Sequence, residues 1–159
     1  ELLYQIISQR PDYSFVFTGP EDDGFRQHRI HSLKNAYFTG QKKVDELPAY
    51  ITAYDVCINP QMVNDITDGN YPLKIDEYLA MGKPTVATST HTMRHIFADH
   101  THLATNPEEW LSAIDRAVTE ADDKELAKQR IAFAETHSWG HSVKKIYGII
   151  DNFLKEKAT

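Results

Sequence analysis

The chain has 159 residues, a net charge of −6, 41% hydrophobic and 25% charged residues; these values describe an ordinary globular domain able to bury a core. They count against a binder of nucleic-acid phosphates, whose affinity rests on clustered Lys and Arg. No apolar run approaches the roughly 18 residues of a membrane span, and a single cysteine, Cys57, excludes an intramolecular disulfide and suggests a reducing, cytoplasmic setting.

The chain opens inside a helical pattern, with Leu2, Leu3, Ile6 and Ile7 on one face and Pro11 as its stop. A start within a helix, without Met or a signal peptide, leads to the expectation of a piece cut from a longer protein. Residues 13–19 are aromatic and β-branched and read as a strand closed by Gly19-Pro20. An acidic loop and a weak helix fill residues 21–34, and residues 36–40 form a short strand. Residues 44–54 predict a helix with Val44, Leu47, Tyr50 and Ile51 on one side and Pro48 in its first turn.

Residues 55–60 are a buried strand, in which Cys57 is expected as a small core residue. A polar loop leads to a helix over residues 72–81, then a strand over 85–88, a short helix over 91–97 and a strand over 102–105. Asn106-Pro107 begins a helix with Trp110, Ile114 and Val118 on its apolar face, followed by a solvated acidic loop and a helix over 124–135. In the last helix Val143, Ile146, Tyr147, Ile150 and Phe153 make a stripe of the kind that usually belongs to a core. Five strands joined by helical crossovers predict a single α/β domain over residues 1–159. The expected fold is a doubly wound, mainly parallel, Rossmann-like sheet with helices on both faces.

Ligands of such sheets sit beyond the carboxyl ends of the strands. The stretch Gly69-Asn70-Tyr71-Pro72-Leu73-Lys74 is the most informative rim segment. Gly69 permits a tight turn, and Pro72 at the first helical position leaves the preceding amides free to point outward. A helix start carries about half a positive charge and unpaired N–H groups, which suits a phosphate, and Lys74 adds a full charge. Glu77, more than a turn further on, has the chemistry to accept hydrogen bonds from a vicinal diol such as ribose. Taken alone, a solvated helix carboxylate and a surface lysine explain Glu77 and Lys74 equally well. His91 and His95 are spaced i, i+4 with His100 and His102 nearby, but no carboxylate or cysteine completes a metal set. His91 follows a strand end and is expected near the rim.

The stretches "FTGQKKVDELPAYITAYDVCINP", "EYLAMGKPTVA" and "SWGHSVKKIYGIIDNF" together resemble the donor-binding half of retaining GT-B glycosyltransferases, over nearly the whole chain. The resemblance implies half of a GT-B fold, the C-terminal donor domain of a two-domain protein, active in transfer only as part of the full-length protein. It implies a nucleotide-sugar donor, a saccharide or lipid acceptor in a bacterial polysaccharide or envelope pathway, and no metal or other cofactor. Glu77 falls on the second glutamate of the family's E-x7-E and implies a ribose contact. Gly69, Asn70, Tyr71, Leu73 and Lys74 would then cradle the diphosphate, with Gly19, Gly40, Gln41 and Lys42 bordering the base.

Two departures stand out. Gly69 occupies the place of the first glutamate, leaving Asp68 or Asn70 to supply its contact. The family's G-R-x5-K clamp would precede Glu1, and the acceptor wall would lie in the protein's own N-terminal domain; the family's last helix returns toward that domain, so part of its apolar stripe is expected to be exposed here. That other domain leaves room for peripheral association with the inner membrane, and no nucleic-acid partner is expected. Other classes remain open beside this one: a sugar-nucleotide epimerase of the same architecture, and a non-catalytic nucleotide-sugar module favoured by Gly69. A response-regulator-like sheet fits poorly, because its acidic cluster would come too late after the first strand.

Overall fold

Strand and helix alternate as the periodicity predicts in the computed structural model, which describes residues 1–157. In chain order the elements are α1 (Leu2–Ser8), β1 (Phe15–Thr18), α2 (Asp23–Arg26), β2 (Ala36–Gly40), α3 (Leu47–Ala53), β3 (Cys57–Asn59), α4 (Leu73–Ala80), β4 (Thr85–Thr88), β5 (His102–Ala104), α5 (Pro107–Thr119), α6 (Lys124–Glu135) and α7 (Trp139–Lys157). A 3₁₀ turn (Arg29–Ser32) precedes β2, and a π-helical turn (Met93–Phe97) and a short 3₁₀ turn (Ala98–His100) precede β5.

Local chemistry sets several of these boundaries. Asp22 accepts from Phe25 N at the start of α2, and Asp123 accepts from Glu125 N and Leu126 N at the start of α6. Asn106 accepts from Glu109 N while Glu109 reaches back to Thr105 N, a reciprocal cap that also fixes Pro107 in the first turn. Bonds from the Thr105 hydroxyl, the Thr105 amide and the Asn106 side chain hold the Glu109 carboxyl below its ordinary range. Pro72 flanks α4 as its N-terminal cap residue, one position earlier than the sequence pattern placed it in the helix.

All strands pair in parallel, but they form two ladders instead of the single sheet expected: β1–β2, and β3–β4–β5. Helices cover both faces, so the doubly wound α/β layering holds while hydrogen bonding breaks between β1 and β3. On one face Ile6 and Ile7 of α1, Ile30, and Trp110 and Ile114 of α5 pack on Phe15, Val86 and Ala104. On the other, Ile75 and Leu79 of α4, Met93, Phe97 and Ala134 pack on Ala87. Val86 and Ala87 serve opposite faces because strand side chains alternate.

Two sequence expectations about burial fail, and the exposure expected for part of the α7 stripe extends to all of it. Val44 lies before α3 and is 83% exposed, since that helix starts at Leu47. Val118 is exposed, and α5 instead buries Leu111, Ala113 and Ala117 beside Trp110 and Ile114. None of the apolar stripe of α7 is buried; Phe153 remains 54% exposed. Cys57 does sit in the core as expected, and burial pushes its thiol up to about 12. Among the described residues no helix is long and apolar enough to cross a membrane.

Candidate functional site

The rim above the carboxyl ends of the strands is built from residues 60–72 and the first turn of α4, braced against β4. Thr88, buried at the end of β4, accepts from Gln61 N at 2.8 Å. Asp68 accepts from His91 N at 2.7 Å, and its carbonyl takes Thr92 N. Within the loop, Asn64 accepts from Ile66 N and Thr67 N, an Asx-type turn that gives a polar segment its own hydrogen bonds. The loop therefore reaches α4 in a set geometry, with Gly69, Asn70, Tyr71 and Leu73 exposed.

Helix α4 has no side-chain cap, so its first amides stay available to an anion. Ile75 and Leu79 are fully buried, and that i, i+4 pair orients the helix. Lys74 and Glu77, three apart, then share an exposed side. Neither side chain makes a hydrogen bond or ion pair among the described residues. Lys74 lines a cleft together with Thr18, Asn59 and Pro60, which brings the start of α4 to the ends of β1 and β3. A cation, open helix amides and a free carboxylate on one exposed strip can hold an anionic group and a neighbouring hydroxyl pair.

Asp76, unlike its neighbour Glu77, is committed within the fold. It accepts from Tyr71 Oη at 2.6 Å and lies 2.9 Å from His137 Nδ1, with its side chain only 19% exposed. Around it Tyr71, Phe97, Phe133 and His137 pack ring against ring. Burial, and then the bond to Asp76, raises the Tyr71 hydroxyl above its ordinary pKa. The Tyr71 side chain is thus committed to Asp76, and only its backbone remains for the cradle the sequence suggested.

On the β1–β2 side, Gly19 N donates to Gly40 O at 3.0 Å, joining two of the expected base-bordering residues. Gly40 has φ +71°, a conformation that glycine adopts without strain. Gln41 is exposed, and Lys42 Nζ sits 5.2 Å from the centre of the Tyr50 ring. The rim hydroxyls of Thr18 and Thr39 bond each other, and Thr18 also bonds Tyr54 at 2.6 Å. That cluster knits the rim, and only the fold brings Tyr54 to it.

The histidines divide. His91 and His95 have ring centres 4.2 Å apart, whereas His100 stacks on Phe133 and His102 pairs with Glu120. Glu120 also pairs with buried Arg130, so part of the expected solvated acidic loop is a structural ion pair. Asp68, a candidate to replace the carboxylate missing at Gly69, is held by His91 N. Asn70 stays exposed.

Against this geometry, residues 1–120 match the family described as "Glycosyl transferases group 1". TuaH of Bacillus subtilis (strain 168), whose name assigns it as a teichuronic acid biosynthesis glycosyltransferase, is 26% identical over 153 residues, covering 92% of this chain and 38% of that protein. The crystal structure of AviGT4, a glycosyltransferase involved in avilamycin A biosynthesis, superposes with a TM-score of 0.61 at 14% identity, over 86% of this chain and 44% of that one. The chain thus spans less than half the length of these relatives, and the second similarity establishes the fold: one half of a GT-B glycosyltransferase.

Proposed function

Since the chain belongs to the group 1 glycosyl transferases, we propose that it is the donor-binding domain of a retaining enzyme that moves a sugar from a nucleotide-sugar to a saccharide or lipid acceptor. The observation that carries this reading is the exposed strip of α4, where Lys74 and Glu77 stand uncommitted beside open helix amides at the strand ends. The helix start and Lys74 attract the diphosphate, and Glu77 accepts from the ribose diol. Gly69, Asn70 and the Tyr71 backbone approach the phosphates, while Gly19, Gly40, Gln41 and Lys42 border the base. Glu77 binds and does not act as a base. Transfer needs an acceptor wall from a second, N-terminal domain, because positioning supplies much of the rate in such reactions. A cytoplasmic enzyme of cell-surface polysaccharide synthesis, needing no metal, fits this reading.

A non-catalytic nucleotide-sugar module is the second reading. It is favoured by Gly69 in the place of a carboxylate and by the commitment of Asp68 to His91 N. Turnover in the full-length protein separates the two.

Titration with UDP, GDP, ADP and their sugars tests donor binding. Glu77→Gln keeps the shape but exchanges a charged acceptor for a neutral amide, and such bonds are worth roughly 1.5–3 kcal/mol. Affinity is expected to fall by about one to two orders of magnitude, with unliganded stability unchanged because Glu77 is in water. Asp76→Asn is expected to lower unliganded stability instead, by about 1 kcal/mol, because Asp76 serves Tyr71 and His137. Equal loss of affinity in both variants, or no binding at millimolar nucleotide, would sink the assignment.

A further inference from the structure

Asp68 and Ile75 are fixed points on either side of the segment 69–74. Asp68 is held from the β4 side by His91 N and Thr92 N, and Ile75 is fully buried beneath α4. The residues between them have little to hold them. A Cβ added at Gly69 would meet open space, and Leu73 is 67% exposed. The Asn70 and Lys74 side chains are exposed and bond nothing among the described residues. Of the segment's amides, only that of Asn70 finds a partner among the described residues, Thr67 O at 3.3 Å within the same loop.

Tyr71 is the exception. Its ring centre lies 5.5 Å from that of Phe97, which is fully buried in the core that seats Ile75 and Leu79. Its hydroxyl donates to Asp76 Oδ2 at 2.6 Å. The other oxygen of that carboxylate, Oδ1, faces His137 Nδ1 at 2.9 Å, and the His137 ring packs on Phe97 and Phe133. Asp76 is therefore gripped through both oxygens, by the segment on one side and by the junction of α6 and α7 on the other. Tyr71 precedes Pro72, which flanks α4, and Asp76 sits in the first turn of that helix, so the bond closes a ring across the helix start. With Tyr71 held by ring and hydroxyl, the open amides of Tyr71, Leu73 and Lys74 keep their directions without partners of their own. Donors fixed in advance have less freedom to lose when an anion arrives.

We propose that Tyr71 is a positioning residue for the donor diphosphate: anchored on Asp76, it holds the backbone of residues 69–74 in the shape that the phosphates meet. The proposal rests on the donor reading above. Tyr71 acts in it through the amides on either side of Pro72, while its own hydroxyl stays on Asp76.

Titration with whichever of UDP, GDP and ADP the chain binds most tightly tests it, well below the Tm of every variant so that only folded molecules are compared. Tyr71→Phe keeps the ring and removes the hydroxyl. It is expected to weaken binding about two- to fivefold, the range of one net hydrogen bond and less than the loss in Glu77→Gln. Asp76→Ala removes the anchor and should weaken binding to the same extent. Asp76→Asn keeps an oxygen for the Tyr71 hydroxyl and should recover most of that loss. Tyr71→Phe and Asp76→Ala combined should cost no more affinity than either alone, since both remove one bond. A contact that only stabilises the fold would lower Tm in these variants and leave the affinity of the folded chain unchanged; that result would overturn the proposal. So would losses that multiply in the double variant. Absence of binding by the parent chain at millimolar nucleotide sinks the donor reading and this proposal with it. Binding that Glu77→Gln weakens and Tyr71→Phe does not sinks this proposal alone.

Discussion

β4 and β1 are both four-residue parallel strands rich in apolar and threonine side chains, yet they meet different fates. Every residue of β4 is buried, whereas β1 buries Phe15 alone. β4 has a hydrogen-bonded neighbour on each edge and helices on both faces; β1 has a neighbour on one edge only. Burial of a strand is therefore conferred by its position in the sheet more than by its composition. The three-stranded half is also where α4 and its loop are braced.

Core truncation should separate the halves most strongly. Leu79→Ala, beneath the three-stranded sheet and fully buried, is expected to cost about 2–5 kcal/mol in chemical denaturation. Val16→Ala, more than a third exposed in β1, should cost under about 1 kcal/mol in this chain. Similar losses for the two would erase the contrast.

Glycine replacement sharpens the comparison at intermediate size. Gly82 and Gly40 share φ +71°, so alanine is strained at both, by roughly 1–2 kcal/mol. At Gly82, between α4 and β4, an added Cβ would also lie 3.1 Å from Ala127 Cβ; at Gly40 it would meet open space. Gly82→Ala should thus be the more damaging of the two. A larger effect at Gly40 would mean that the β1–β2 rim is packed more tightly than the structure shows.

The smallest expected effect lies in the clasp between the halves. Asp115 of α5 bonds Arg10 at 2.8 and 2.5 Å and Tyr13 at 3.1 Å, both in the segment leading into β1. The bonds from the Arg10 guanidinium hold the Asp115 carboxyl below its ordinary range. A depressed carboxylate stabilises the fold above its unfolded-state pKa and loses that contribution as pH falls through the folded one. With the Asp115 side chain 41% exposed, solvent screens the pair, and the contribution should stay under about 1 kcal/mol. Thermal melts of Asp115→Asn across the acid range should show a shallower fall of Tm than the parent chain; parallel curves would remove the clasp from the account.

Much of the candidate site is visible in one short stretch of sequence. Gly69 to Glu77 combines a turn, a helix start, a cation and a carboxylate within one local geometry, so neighbouring residues alone suggest it. Asp76 shows where such reading fails: its partners Tyr71 and His137 lie 5 and 61 positions away, and only packing of α6 against α4 brings His137 to it. Tyr54 at the rim and Glu120 between Arg130 and His102 were missed for the same reason. α5 and α7 make the point for helices. Both carry apolar faces, but α5 is seated on the core and α7 has no buried residue.

The sequence by itself determined the alternation of strands and helices, the parallel α/β class, and the Asn106-Pro107 start of α5, because periodicity and capping act over a few residues. Tertiary structure alone decided that the ladders part between β1 and β3, that Asp76 is a clasp while Glu77 stands free, and that the stripe of α7 meets no core. Those outcomes depend on which distant surfaces meet, and a local pattern carries an apolar face without specifying what will cover it.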